Sequence, residues 1–116
     1  MVRFLYFQCA VSGTLINKSP ELMKVIEEMN LISKSLNAKF IVIIEDFDKN
    51  PQKCKPENTY HTRKLINDLR KASIPFLKTS EIYKNKKCED LQINYDGHPS
   101  ALANRLLSEK LVNYLD

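Results

Sequence analysis

Five consecutive apolar residues, Phe40-Ile41-Val42-Ile43-Ile44, constrain the fold more than any other part of the chain. The run is β-branched and aromatic and does not alternate with polar residues, which is the pattern of a strand covered on both faces in a parallel sheet. Such a strand needs a layer of side chains on each side of the sheet. We therefore predict a central strand here.

Three amphipathic helices are predicted around this strand. The first runs from Ser19 as N-cap and Pro20 as first helical residue to about Leu36, and Asn37 ends it because Asn tolerates the left-handed conformation. Its predicted buried stripe is Leu22, Val25, Ile26, Met29, Ile32 and Leu36. The second, over 59–72, is expected to bury Leu65, Ile66, Leu69 and Ala72. The third, from Pro99 to about Leu115, is expected to bury Ala103, Leu106, Leu107, Leu111, Tyr114 and Leu115.

A second, shorter strand is predicted over Ile74-Pro75-Phe76-Leu77, where Pro75 favours a strand start or an edge position. Irregular segments over 45–57 and 79–95 complete the chain. Helices that alternate with strands predict right-handed crossovers, so the expected fold is α/β, three-layer, with a mostly parallel sheet flanked by helices. The 116 residues predict one domain, and because they are few for this architecture we expect a domain truncated at its N-terminus.

Charge and hydropathy exclude several classes of partner. The net charge of +4 is scattered, which argues against nucleic-acid binding, and Lys84, Lys86 and Lys87 are expected in a solvated loop. The opening run over 2–11 is shorter than the ~20 apolar residues of a membrane span and favours a core strand. The compartment stays open, with the cytoplasm favoured over secretion.

Cysteines and acidic residues give no pattern of a cofactor or a metal site. Cys9, Cys54 and Cys88 are odd in number and irregularly spaced, so we expect reduced thiols rather than a disulfide framework. A mixed zinc set of Cys54, His61, Cys88 and His98 has irregular gaps, which argues against a structural zinc site, and His61 is expected to be an exposed histidine on the second helix. The group of Glu45, Asp46 and Asp48 is expected to be a solvated loop.

Asp96 and His98 are the candidate catalytic residues. They lie two positions apart ahead of the last helix, with His98 as its expected N-cap and Pro99 as its first residue. An imidazole general base needs a carboxylate that fixes its tautomer, and one short loop supplies both groups. The alternative is that the two residues only form a turn and a cap.

The segment Asp96-Gly97-His98-Pro99-Ser100, with Asn104 beyond it, resembles the C-terminal block of the SGNH (GDSL-type) esterase family. The resemblance covers roughly 19–115 and is architectural outside this block. It implies a three-layer α/β fold, a general base at His98, an orienting carboxylate at Asp96, and a small ester or acylated substrate for hydrolysis or acyl transfer. No metal or cofactor is implied.

Two features depart from the family pattern. The family more often spaces the pair as Asp-x-x-His, and this chain has neither a Gly-Asp-Ser nucleophile block nor a Gly-x-Asn-Asp block. Ser12 and Cys9 are weaker candidates for the nucleophile, because the neighbours of Ser12 do not match the family motif and core packing is the better expectation for Cys9. We therefore expect the C-terminal part of such a hydrolase, which dimerises or binds an upstream half. The alternative is a non-catalytic α/β interaction module.

Overall fold

The structure, a computed structural model, describes residues 3–9, 19–47, 56, 58–93 and 98–115, and for residues 3–9, 19 and 20 it describes the backbone. These residues form three strands and five helices: β1 (Arg3–Cys9), α1 (Ser19–Ser35), β2 (Ala38–Ile44), α2 (Tyr60–Lys71), β3 (Phe76–Lys78), α3 (Thr79–Ile82), α4 (Cys88–Leu91) and α5 (Ala101–Leu115). They belong to two compact units, one comprising Met1–Glu45 and Asn58–Leu77, the other Asp46–Glu57 and Lys78–Asp116. The prediction of a single domain stays a prediction.

The sheet has the strand order β1-β2-β3, so β2 is interior, as predicted. β1 and β2 run parallel and pair over seven residues, from Arg3 opposite Ala38 to Cys9 opposite Ile44. On its other side, the Val42 N–H donates to the Pro75 carbonyl at 3.0 Å. The mixed helix and parallel strand content confirms a small α/β fold.

The predicted central strand is buried on both faces. Phe40, Val42 and Ile44 lie on one face and pack in a core with Ile26 of α1 and Leu69 of α2. Ile41 and Ile43 alternate with them along the strand and are also buried. This is why the run Phe40–Ile44 carries no polar residue.

Helix α1 has the predicted extent, and Asn37 adopts a left-handed φ of 53° after it. The predicted buried stripe is partly wrong. Ile26 is buried and Leu22 and Met29 pack against the core, but Val25, Ile32 and Leu36 are exposed, and Met23 and Ser33 are buried instead. The buried face is therefore rotated from the predicted one, and the Ser33 hydroxyl is satisfied inside it because it donates to the Met29 carbonyl at 2.8 Å.

Helix α2 is capped at both ends. The Thr59 hydroxyl accepts from the Thr62 N–H at 3.2 Å, which satisfies a free donor of the first turn. Beyond the last turn Ser73 takes a left-handed φ of 56°, and the Ile74 N–H donates to the Leu69 carbonyl at 2.9 Å. This arrangement is a Schellman motif, and Ile74, which lies between α2 and β3, is buried. Leu65, Ile66 and Leu69 are buried as predicted, whereas Ala72 is exposed.

The second unit contains short helices where an irregular segment was predicted. α3 and α4 are single turns, separated by Lys84, Lys86 and Lys87, which are exposed as predicted. An isolated antiparallel bridge pairs Phe47 with Pro56. Of the predicted buried face of α5, Ala103 is buried and the other five residues are half-buried.

Among the described residues, no helix combines the length and the apolar character that crossing a membrane requires.

Because α1 buries Ile26 and exposes Ile32, we expect truncation of these two isoleucines to lower the stability of the protein by different amounts. Ile26 is fully buried, whereas Ile32 is 54% exposed. We expect Ile26→Ala to lower the free energy of unfolding by about 2–5 kcal/mol through lost burial and the cavity left behind. Ile32→Ala is the matched control and should cost less than about 1 kcal/mol. Urea unfolding measures both, and equal losses would contradict this orientation of α1.

Candidate functional site

Ser100 is the N-cap of α5, which begins at Ala101. The Ser100 hydroxyl accepts from the Ala103 N–H at 3.2 Å, and the Ser100 carbonyl accepts the first helical bond, from the Asn104 N–H at 3.0 Å. The prediction of His98 as N-cap and Pro99 as first helical residue is therefore wrong by two positions. A serine hydroxyl satisfies a free N–H of the first turn, as the preferred N-cap side chains do.

His98 lies two residues before this cap, and its side chain is exposed. Its backbone is held from across the loop, where the Ile93 N–H donates to the His98 carbonyl at 3.0 Å. Gln92 and Pro99 form an antiparallel bridge beside that bond, and the Ser100 N–H donates to the Leu91 carbonyl at 2.9 Å. The backbone at His98 is thus fixed while its imidazole faces solvent. Asp96, the predicted orienter, lies outside the described residues.

Asp46 forms a buried polar cluster with Thr79 and Ser80 that the sequence did not predict. One carboxylate oxygen, Oδ1, accepts from the Ser80 N–H at 2.8 Å and from the Thr79 hydroxyl at 3.5 Å. The other, Oδ2, accepts from the Ser80 hydroxyl at 2.6 Å. The Asp46 N–H in turn donates to the Thr79 hydroxyl at 3.2 Å. Asp46 is only 5% exposed, so the expectation of a solvated acidic loop is wrong at this residue.

Along the sequence, the residues of the cluster follow two strands closely. Asp46 comes two residues after β2, and Thr79 is the residue after β3. In open α/β sheets the loops beyond the carboxyl ends of the strands are the usual place for a site. The sequence signal that could have indicated this cluster is an acidic residue two positions after a buried strand.

Tyr83, at the end of α3, links this cluster's helix to α5. Its hydroxyl donates to the Ala103 carbonyl at 3.4 Å. Its ring meets that of Phe47 edge to face, with the centroids 5.9 Å apart, a favourable aromatic geometry. α3 therefore connects the residues just after β2 with the first turn of α5.

Comparison with known proteins gives no match. No family model matches the chain, and neither a curated protein nor a solved structure does so.

The remaining sequence candidates are only partly within the described residues. Ser12 and Cys54 lie outside them, as does the side chain of Cys9. His61 is half-buried on α2, where its ring contacts that of Tyr60 edge to face. Among the described side chains, no three of His, Cys, Asp and Glu come together in an arrangement that would hold a metal ion.

The expectation of reduced thiols is wrong for Cys88, which is disulfide-bonded. An odd cysteine count favours free thiols but leaves room for one bond. The partner sulfur lies outside the described side chains.

Because the Asp46 carboxylate is hydrogen-bonded and buried, we expect even its conversion to an amide to lower the stability of the protein. We expect Asp46→Asn to lower the free energy of unfolding by about 1–3 kcal/mol, because the amide NH₂ cannot accept from the Ser80 hydroxyl inside a buried cluster. Glu89→Gln, the same chemical change on an exposed residue of α4, should be nearly neutral. Thermal unfolding of the two variants decides this. Equal melting temperatures would show that the cluster contributes nothing.

Proposed function

We propose that this chain carries the acid–base part of an SGNH-like esterase or acyl hydrolase site. His98 is the general base, Asp96 orients it, and the substrate is a small ester or acylated molecule. The fold that belongs to this proposal is the three-layer α/β arrangement of that family. It agrees with the parallel pairing of β1 and β2 and with the burial of β2 on both faces.

The observation that best supports the proposal is that His98 has an exposed side chain on a hydrogen-bonded backbone. A general base must reach its substrate's proton in a defined geometry, so it needs an accessible ring on a fixed backbone. His98 has an exposed side chain, and its carbonyl accepts from the Ile93 N–H. The capped start of α5 follows two residues later. A mobile surface histidine would lack these constraints.

The chemistry assigned to the pair is proton transfer. The imidazole of His98 takes the proton of an attacking hydroxyl and returns it to the leaving alcohol, and the Asp96 carboxylate fixes the ring tautomer and stabilises the imidazolium between these two steps. Asp46 and Ser80 are assigned no catalytic role in this proposal, because both are buried and therefore poorly accessible to a substrate. In this proposal a complementary segment supplies the serine and the oxyanion donors.

A second candidate is a non-catalytic interaction module. α1 exposes three large apolar side chains, Val25, Leu31 and Ile32, and Leu36, the residue after this helix, is exposed as well. Exposed apolar groups on one helix are typical of a surface that a partner covers. In this candidate the loop before α5 serves only as a cap. Dependence of an activity on His98 separates the two functions.

The proposal predicts an esterase whose activity depends on His98. The chain alone should leave a short-chain nitrophenyl ester nearly unchanged, because a base accelerates only a reaction whose attacking atom is positioned beside it. Joined to the serine-bearing segment of an SGNH esterase, the folded protein should hydrolyse the ester. His98→Ala should then lower kcat about 10²–10⁴-fold, the range for loss of a general base.

The other histidine of the chain provides the control. His61→Ala, on α2, should leave kcat within about 2-fold of the parent, since only His98 carries the assigned role. A folded, active fusion in which the two alanine variants have the same kcat would contradict the proposal and favour the interaction module. Turnover by the chain alone that needs His98 together with Ser12 or Cys9 would show a complete site in this chain.

A further inference from the structure

Helix α1 carries an apolar row beside the face that packs on the core. The core face includes Met23, Ile26 and Ser33, which are buried. The second row has the alternating spacing of three and four residues that is typical of a coiled-coil seam, and we call it the outer row: Leu22, Val25, Met29, Ile32 and Leu36. Leu22 and Met29 are half-buried against the core, whereas the other three are exposed.

The outer row lies on the flank of α1 that faces away from α2. Met23 and Glu27 line a groove together with Asp68 and Lys71 of α2, so α2 lies on the Glu27 side of α1. Successive helical residues are ~100° apart around the axis, which places the outer row roughly opposite Glu27. Both helices belong to the first unit.

The outer edge of β1 borders the same flank. α1 lies between β1 and β2 in the chain, α2 lies between β2 and β3, and both helices pack on the same face of β2. The strand order is β1-β2-β3, so the helices follow the strands across the sheet and the free flank of α1 is on the β1 side. Among the described residues β1 is the outer strand there. This flank of the unit thus presents a strand edge and an apolar helix row together.

A second copy of the chain pairs both features about one two-fold axis. An axis perpendicular to the sheet, at the edge of β1, sets β1 antiparallel to its copy and extends the sheet through the interface. The same rotation places α1 antiparallel to its copy on one side of that sheet. The outer row is thereby covered by an identical row, and the strand edge by an identical edge.

The charges of α1 favour this antiparallel orientation. Its first half, 19–28, has a net charge of −2 from three glutamates and one lysine, and its second half, 29–35, has +1 from Lys34. An antiparallel copy sets the acidic half beside the basic half and opposes the two helix dipoles, both of which are attractive. A parallel copy would set like charges side by side.

We propose that this chain forms a two-fold dimer through the outer edge of β1 and the outer row of α1. Val25 packs against Leu36 of the second copy, and Met29 packs against Ile32. α1 is ~26 Å long and β1 is ~23 Å long, so the two elements span the flank together. The proposal goes beyond both candidate functions, because it names the partner that covers the apolar side of α1 and involves neither Asp96 nor His98.

Analytical ultracentrifugation of the whole chain tests the dimer. An interface at the small end of the stable range predicts a monomer–dimer equilibrium with a Kd on the order of 10 µM. Ile32→Lys introduces a charge into the outer row and should raise this Kd at least ~10-fold. Leu31→Lys is the matched control: Leu31 is 64% exposed and Ile32 54%, but Leu31 lies outside the row. It should leave the Kd within ~2-fold of the parent.

Amide hydrogen exchange tests the strand half of the interface. Alternate N–H groups of β1 point away from β2, and pairing with a second β1 should slow their exchange as the protein concentration rises through the Kd. In Ile32→Lys the same groups should exchange at one rate over that range. The Ile74 N–H, bonded to the Leu69 carbonyl, is the internal reference in the folded parent and both variants, and its exchange should not depend on concentration.

Three results would overturn the proposal. A monomer at every concentration would leave the outer row to a segment of a different protein. Equal weakening of the dimer by Ile32→Lys and Leu31→Lys would show association through general surface apolarity. A dimer in which no N–H of β1 gains protection would exclude pairing through the strand edge.

Discussion

The backbone of β2 has to be hydrogen-bonded inside the protein, because both faces of this strand are buried. Buried N–H and C=O groups that lack partners cost as much as lost hydrogen bonds. β1 satisfies one edge over seven residue pairs, and Pro75 begins the pairing on the other edge. Once these hydrogen bonds are formed, β2 has a fixed place in the sheet of the first unit.

Asp46 is subject to the same constraint, because it is buried and its polar atoms also need partners inside the protein. A buried carboxylate is stable only where donors replace its lost hydration, and Ser80 and Thr79 supply three. In return the Asp46 N–H is satisfied by the Thr79 hydroxyl. Asp46 and the start of α3 are thereby held together, and the Tyr83 hydroxyl connects α3 to Ala103 in the first turn of α5. The loop of His98 precedes that turn.

The sequence predicted the features that depend on neighbouring residues. The run Phe40–Ile44, the extent of α1 and α2, and the left-handed Asn37 follow from local pattern, and the structure confirms them. It did not predict which side of α1 is buried. A count of apolar residues favours Ile32, whereas the structure buries Ser33, whose hydroxyl finds a carbonyl in its own helix.

Features that depend on distant residues were missed. The donors to Asp46 are 33 and 34 residues away along the chain, so its burial has no local signature. The sequence predicts the cap of α5 at His98 rather than Ser100 because both residues precede a helical pattern, and the bond from the Ser100 hydroxyl to the Asp90 carbonyl has no local signature. The Cys88 disulfide was missed because its partner is likewise set by the fold and not by spacing.

We propose that Asp96 holds the imidazole of His98 in one tautomer, and nitrogen NMR of the neutral ring tests this directly. The spectrum should show the proton on Nδ1, donated to the carboxylate, and Nε2 unprotonated. Asp96→Asn should shift the ring toward the other tautomer, and Asp90→Asn, the same change at an exposed aspartate of α4, should not. A tautomer that is the same in the parent and in Asp96→Asn would contradict the account.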